Sequence, residues 1–140
     1  MAAAMRFDLP QPDLETQPFW DACKERKFLL RHCNACGRDH YYPRPFCPTC
    51  WSEDVAWKEA SGRGTLYTYS VVHVNDLPPF HERVPYVAAI VELEEGPRVM
   101  TNIEGVPFDE LRADLPVVVA YKSISDDVTI AVFVPNSADR

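Results

Sequence analysis

The sequence has no long apolar run. No segment approaches the roughly 20 apolar residues that a helix needs to cross a bilayer, and YVAAIV and LPVVVAY have the length and pattern of strands. The first residues, MAAAMRFDLPQPDLE, lack the charged start and apolar core of a secretory signal. Internal repeats and low-complexity segments are absent as well. We therefore expect a cytoplasmic protein that does not associate with a membrane.

Positive charge is scarce over most of the chain. The protein has 14 Lys and Arg against 21 Asp and Glu, for a formal net charge of −7. Residues 45–140 contain seven basic and 15 acidic residues, a local balance of −8, and such a surface repels a polyanion. Residues 24–44 contain six basic and two acidic residues, a local balance of +4. The composition disfavours nucleic acid as a ligand and confines positive charge to one stretch.

Length and composition fit a single domain or two small modules sharing a core. The chain has 140 residues, of which 46% are apolar and 25% charged, as in soluble globular proteins. In a reducing cytosol, regularly spaced cysteines indicate a metal site more than disulfides.

Four of the five cysteines form the pattern C-x2-C-x10-C-x2-C. Each C-x2-C turn offers two thiolates, and two such turns complete the tetrahedral site that zinc prefers. The pattern predicts a zinc ribbon, or iron in a rubredoxin-like version; a redox dithiol is disfavoured because no βαβ pattern surrounds the cysteines. Four thiolates leave no open position for substrate, so the metal should be structural. The predicted ligands are Cys33, Cys36, Cys47 and Cys50.

A helix and a strand are predicted around this pattern. Thr16 is a good N-cap, with Pro18 in the first turn, and Phe19, Trp20 and Cys23 would share the buried face of the helix. FLL leads into the first cysteine turn as a strand, and Gly37 stands where a left-handed backbone is often required.

The remaining sequence has the pattern of β-strands. Five predicted strands are TLYTYSVVHV (Thr65 to Val74), YVAAIVEL, PRVMTNI, LPVVVAYKSI and DVTIAVFV, with a one-turn helix in EGVPFDELRAD. This order matches an OB-fold barrel, although another five-stranded meander would give the same count. In the first strand, strict alternation places Leu66, Thr68, Ser70 and Val72 on one face and Tyr67, Tyr69, Val71 and His73 on the other.

The combined pattern resembles the DUF35 family from about Phe19 to Val134. The resemblance rests on PFW, CNACG…CPTC, GRGTLYTYSVVH ending at His73, a proline-rich loop and PYVAAIVEL. It implies a mainly β protein with an N-terminal arm and helix (1–31), a rubredoxin-like zinc ribbon (32–60) and a five-stranded OB-fold domain (61–140). Trp51 departs from the pattern, because a small residue is expected after the last cysteine.

The resemblance also implies a function. Members of the family are similar in associating with thiolase-like or lipid-transfer-protein-like enzymes that act on acyl-CoA thioesters. There they bridge subunits, support the partner's fold or help retain the CoA arm. The chain is thus expected to be a non-catalytic accessory subunit with structural Zn²⁺, and acyl-CoA is a candidate ligand.

Two groups of residues are candidates for contact with CoA phosphates or with a partner. A basic cluster suits phosphate groups, but surface charges or docking contacts to an acidic partner are the favoured interpretation. The loop NDLPPFHERVP (75–85) is long enough to be functional, and its apolar tip favours an interface over a pantetheine-lining pocket. The basic candidates are Arg26, Lys27, Arg31, Arg38 and Arg44, and the loop candidates are Leu77, Pro78, Pro79, Phe80 and His81.

The sequence has features of two alternative functions. A single-stranded nucleic-acid-binding module could stack bases on Tyr67, Tyr69 and Tyr121, but the acidic second half opposes it. A hydrolase would need a nucleophile beside a base, and Ser70 and His73 are an odd number apart on a strand, so they point to opposite faces.

Overall fold

Eight strands and one α-helix organise residues 6–137, the part of the chain that this computed structural model describes. The helix α1 spans Gln17–Lys24, and two short 3-10 helices span Phe80–Glu82 and Phe108–Glu110. The strands are β1 (Leu29–Cys33), β2 (Asp39–His40), β3 (Val55–Glu59), β4 (Arg63–Val72), β5 (Tyr86–Leu93), β6 (Arg98–Ile103), β7 (Pro116–Ser123) and β8 (Thr129–Pro135).

Helix α1 begins where the sequence predicted, directly after Thr16. The Thr16 hydroxyl does not cap the helix, because it donates to the Asp13 carboxylate and accepts from the Asp13 N–H. The helix buries Phe19 and Cys23, and the Phe19 ring meets the ring of Phe28 edge-on at 5.6 Å between centroids. The helix therefore covers one side of a core.

The ribbon is a three-stranded antiparallel sheet in the order β2-β1-β3. Strand β1 lies in the centre and pairs along its whole length with β3, from Leu29 opposite Glu59 to Cys33 opposite Val55. Strand β3, which is short and mostly exposed, was not predicted from the sequence. This sheet fixes the position of the first cysteine turn.

The barrel closes in the strand order β4-β5-β6-β8-β7. This is the OB-fold order, with the fifth strand of the barrel lying parallel to the third. Between β6 and β8 the described residues contribute one pair, Ile103 with Phe133. The predicted fold class, a helix and a zinc ribbon before a five-stranded OB-fold barrel, is confirmed.

Strand β4 contains a β-bulge that the alternation rule did not anticipate. Leu66 pairs with Val91, but the next pair is Thr68 with Ile90, so Tyr67 is the extra residue. After the bulge, Tyr69 and Val71 pair with the buried residues Ala89 and Val87 and share their face. The prediction that Leu66 shares a face with Thr68, Ser70 and Val72 is therefore wrong.

The helix, the ribbon and the barrel share one core. Phe28, which precedes β1, is 2% exposed, and its ring lies edge-on to that of Phe133 in β8 at 6.1 Å between centroids. The same cluster includes Leu30 from the ribbon and Leu66, Val91 and Val117 from the barrel. Within the described residues, no helix has the length and apolar character needed to cross a membrane.

Candidate functional site

The four cysteines of the ribbon converge on one point. Their sulfur atoms all lie within 4.8 Å of one another. The Sγ–Sγ distances are 3.6 Å between Cys33 and Cys50 and 3.7 Å between Cys36 and Cys47. Zn–S bonds of about 2.3 Å at tetrahedral angles place neighbouring sulfurs about 3.8 Å apart, so the arrangement fits zinc.

The two cysteine turns have the same backbone geometry. The Gly37 N–H donates to the Cys33 carbonyl at 2.8 Å, and the Trp51 N–H donates to the Cys47 carbonyl at 2.8 Å. Both residues have a left-handed backbone, with φ of 80° at Gly37 and 68° at Trp51. The large side chain of Trp51 thus leaves the turn geometry unchanged.

Backbone N–H groups favour the thiolate form at this site. The N–H of Cys50, and after it that of Thr49, lower the pKa of the Cys47 thiol to about 6. The N–H of Cys36 likewise lowers the pKa of the Cys33 thiol. At Cys36 and Cys50 the backbone N–H groups of Arg38 and Ser52 act in the same direction, but burial and hydrogen bonds with the neighbouring thiols outweigh them and raise the pKa, to about 11 at Cys50. Because metals bind the thiolate, Cys33 and Cys47 are the two sulfurs prepared for a cation.

A buried carboxylate supports the ribbon beside the metal site. Asp39 accepts hydrogen bonds from His32 Nδ1 at 2.6 Å and Lys58 Nζ at 2.7 Å. Burial alone would raise the pKa of Asp39, but the bonds to Lys58 and His32 outweigh it and hold that pKa below its ordinary value. His32 thus belongs to a structural hydrogen-bond network next to Cys33.

The five predicted basic residues lie along the helix end and the ribbon. Arg31 places its guanidinium 4.3 Å from the centre of the Trp57 ring, and its Nε lies 3.5 Å from the Arg44 carbonyl oxygen. Among the described residues, neither Arg26 nor Lys27 forms a hydrogen bond, ion pair or ring contact with Arg31 or Arg44.

The arginines of the ribbon and helix end differ from most barrel cations in ion pairing. Within 4 Å, the described residues offer no carboxylate partner to Arg26, Arg31, Arg38 or Arg44, whereas most barrel cations are paired; Arg112 is the barrel residue without such a partner. Positive charge that is not neutralised locally is therefore concentrated on the helix end and the ribbon. Within the described part of the chain, two cations of the helix end and ribbon are paired, Lys27 with Glu25 at 3.9 Å and Lys58 with Asp39. The paired cations of the barrel and its loop are Arg63 (Glu94), Arg83 (Asp8), Arg98 (Glu92) and Lys122 (Glu104).

The long loop between β4 and β5 borders a cavity of about 430 Å³. Of the five predicted loop residues, Phe80 lines the cavity, and the other four do not. Leu77 is 51% exposed instead. Residues of β6 and β8, namely Asn102, Ile103, Ile130 and Val132, form part of its lining. Its other lining residues are Arg83, Pro85, Tyr86, Val87, Glu104, Gly105, Val106, Phe108 and Lys122.

Residues 6–8 of the N-terminal arm bind the loop between β4 and β5. The Phe7 N–H donates to the Pro78 carbonyl at 3.0 Å. The Asp8 carboxylate accepts from Arg6 at 2.8 Å and from Arg83 at 2.9 Å. Sequence reasoning missed Arg83 and the cavity, because the lining residues come from distant parts of the chain and share no local pattern.

Among the described residues, the outer face of β4, β5 and β6 has no row of unpaired positive side chains. On β4, β5 and β6 this face carries the rows Thr68–Ile90–Met100 and Ser70–Ala88–Asn102. Among the described residues its cations are Arg63 and Arg98, and both are paired with glutamates. Arg98 also lies 3.9 Å from the centre of the Tyr67 ring. Such a face does not suit a phosphate backbone.

Comparisons with known proteins agree with this architecture. Family models of the ChsH2 rubredoxin-like zinc ribbon domain and the ChsH2 C-terminal OB-fold domain match residues 20–56 and 57–122. A probable enoyl-CoA hydratase alpha subunit from Thermomonospora curvata is 38% identical over 128 residues, which cover 90% of this chain but 40% of the relative. A DUF35 domain-containing scaffold protein from Methanocaldococcus jannaschii is 36% identical over 110 residues, 77% of each chain.

A solved structure has the same fold. It is described as the Ltp2-ChsH2(DUF35) aldolase, and its matching chain has a TM-score of 0.80 and 35% identity. The match covers 91% of this chain and 98% of that chain. The chain therefore spans less than half of the hydratase subunit from T. curvata, but nearly all of the matched chain in this structure.

Proposed function

The chain belongs to the DUF35 family, in the form that joins a ChsH2-type zinc ribbon to an OB-fold domain, and we propose that it is a non-catalytic accessory subunit of an enzyme acting on acyl-CoA thioesters. The proposed partner is a thiolase-superfamily or lipid-transfer-protein-like enzyme. The names of two similar proteins, an enoyl-CoA hydratase alpha subunit and an Ltp2-ChsH2 aldolase, support association with an enzyme. We place the complex in the cytoplasm.

The observation that carries the proposal is the distribution of unpaired cations. Arg31, Arg38 and Arg44 lie on the ribbon without a carboxylate within reach among the described residues, although the protein as a whole is acidic. Unpaired arginines on a rigid platform are suited to carboxylates of a partner or to phosphate groups. Docking to an acidic surface of the partner is the main role that we assign to them, and holding the CoA phosphates is the second.

The ribbon's metal would contribute structure. We propose Cys33, Cys36, Cys47 and Cys50 as the ligands of one zinc ion. A bound zinc would cross-link the two cysteine turns. With four thiolate ligands it would have no free coordination position for a substrate. The reaction is then carried out by residues of the partner.

The loop between β4 and β5 has a separate proposed role. Its exposed part, with Leu77, would contact the partner, while Phe80 faces the cavity. A cavity of about 430 Å³ with mostly apolar walls has the size of a small-molecule site. It would accommodate the pantetheine arm or the acyl group if CoA lies across the interface.

Affinity purification tests the association. The full chain, tagged and expressed in its native cells, should retain a thiolase-superfamily or lipid-transfer-protein-like enzyme that mass spectrometry identifies. The double variant Arg38→Glu/Arg44→Glu should weaken binding of that enzyme at least tenfold, with the larger loss at low salt, because opposite charges attract less when screened. Arg112→Glu is the single-reversal control, since Arg112 lies in the barrel half and has no carboxylate within 4 Å among the described residues.

Two results would reject the proposal. One is a wild-type chain that elutes without any enzyme of this class and alters neither its stability nor its activity. The other is salt-dependent binding of single-stranded oligonucleotides, which would favour the nucleic-acid alternative. Binding of CoA but not of dephospho-CoA would assign the arginines to the 3′-phosphate.

A further inference from the structure

Trp51 occupies a backbone position that favours glycine. It has φ of 68°, and its counterpart in the first cysteine turn is Gly37 with φ of 80°. An L side chain in this region brings its Cβ close to the following carbonyl, which costs free energy that glycine avoids. A tryptophan at this position therefore requires a favourable interaction of its side chain that offsets the free-energy cost of the backbone.

The contacts of the Trp51 indole within this chain offset little of that free-energy cost. The Trp51 side chain is 73% exposed. Its ring stacks on Phe46, with ring centroids 5.4 Å apart and planes inclined by 8°, but this pair stands apart from the shared core. Other tryptophans of the chain are placed differently, since Trp20 and Trp57 pack against that core.

Arg38 and Arg44 precede Trp51 in the ribbon, and Glu53 and Asp54 follow it, with Asp54 accepting a hydrogen bond from the Asn34 side chain. Tryptophan and arginine dominate the binding energy of protein interfaces, and aromatic residues are enriched there. Arg44 precedes Phe46 by two residues, and Arg38 follows the first cysteine turn, whose Cys36 sulfur lies 3.7 Å from that of Cys47. Neither arginine has a carboxylate partner within 4 Å among residues 6–137.

We propose that the stacked pair Trp51–Phe46 is the anchor with which the ribbon docks on its enzyme partner. The indole enters an apolar pocket of that enzyme, and carboxylates at the rim of the pocket meet Arg38 and Arg44. Burial of the indole in the complex compensates for the strained backbone at Trp51. This inference rests on the proposed function, because it names the residue that mediates the proposed association.

The variants Trp51→Gly and Trp51→Asn separate docking from folding. Both glycine and asparagine tolerate a left-handed backbone. In the isolated, zinc-loaded full chain we expect full zinc content and a melting temperature within a few degrees of the wild type. Melting far below the wild type, or loss of zinc, in both variants would show that the indole covers the metal site and would overturn the proposal.

Binding is then measured with the enzyme that the wild-type chain retains, purified and titrated against each variant. We expect Trp51→Gly and Trp51→Asn to raise Kd at least tenfold, or about 1.4 kcal/mol. Met100→Ala is the control, because Met100 is 76% exposed on the barrel, far from the ribbon in sequence. Unchanged Kd for both Trp51 variants overturns the inference while the proposed function stands. A wild-type chain that binds no such enzyme overturns both.

Discussion

Phe28 and Phe133 join the two parts of the molecule, with their rings edge-on at 6.1 Å between centroids. Phe28 precedes the ribbon strand β1, Phe133 lies in the barrel strand β8, and both are almost fully buried. The contact makes the ribbon and the barrel a single packed unit, so that damage to one should be felt by the other.

Phe133→Ala tests this coupling. Removing a buried phenylalanine ring typically costs about 3–5 kcal/mol, through lost burial and the cavity left behind. We expect ribbon and barrel to unfold together at lower denaturant concentration, with zinc release and far-UV circular dichroism giving the same midpoint. Phe108→Ala, at a ring that is 44% exposed, should change stability much less. Separate midpoints in the variant would mean that the two parts fold independently.

Cys47→Ser tests the metal site. A serine hydroxyl is a poor substitute for a thiolate, and metal binding accounts for a large part of the folding free energy of such ribbons. We expect loss of about one equivalent of zinc, measured by mass spectrometry under native conditions, and loss of ribbon structure. Cys23→Ala, at the cysteine outside the pattern, should keep its zinc. Unchanged metal content and melting in Cys47→Ser would contradict the assignment.

Gly64→Ala tests the closure of the barrel. A Cβ at Gly64 would lie 2.5 Å from the carbonyl oxygen of Glu92 on the neighbouring strand, a contact that the backbone can relieve only by moving. We expect a loss of about 1–3 kcal/mol in the free energy of unfolding, measured by urea titration. Ser70→Ala, in the exposed part of the same strand, serves as the control. Equal stability of the two variants would mean that the barrel wall adjusts freely at Gly64.

Asp8→Asn tests the fastening of the loop between β4 and β5. Hydrogen bonding to Arg6, and then to Arg83, holds the pKa of Asp8 below its ordinary value. We expect faster proteolysis and hydrogen exchange in residues 75–85 of the variant. Glu82→Gln, in the same loop but 73% exposed, should leave both rates unchanged. If Asp8→Asn matches the wild type, the arm does not hold the loop.

The Asp8 carboxylate also makes the attachment of the arm to the loop between β4 and β5 depend on pH. Because the native pKa of Asp8 is depressed, its stabilising effect is fully present above the unfolded-state pKa of about 3.9 and is lost as the pH falls through the native value. The stability difference between the wild type and Asp8→Asn should therefore shrink on acidification below about pH 4. A difference that grows on acidification would have the wrong sign for this ion pair.

Local patterns predicted the cysteine turns and most strands, because these depend on spacing along the chain. The apolar run YVAAIVEL was predicted as one strand, and Tyr86–Leu93 is one strand in the structure, with buried and half-buried residues in alternation. The bulge at Tyr67 was not predictable in this way, because the register of β5 decides where the extra residue falls. The cavity and the ion pairs likewise depend on contacts between distant residues, such as Asp8 with Arg83.

The seam between β6 and β8 has the least backbone pairing of the barrel. Among the described residues one pair, Ile103 with Phe133, joins these strands, whereas at least three pairs join each other neighbouring couple of barrel strands. Both Ile103 and Phe133 are buried. Closure of the barrel at this seam therefore depends on the packing of apolar side chains more than on a ladder of hydrogen bonds.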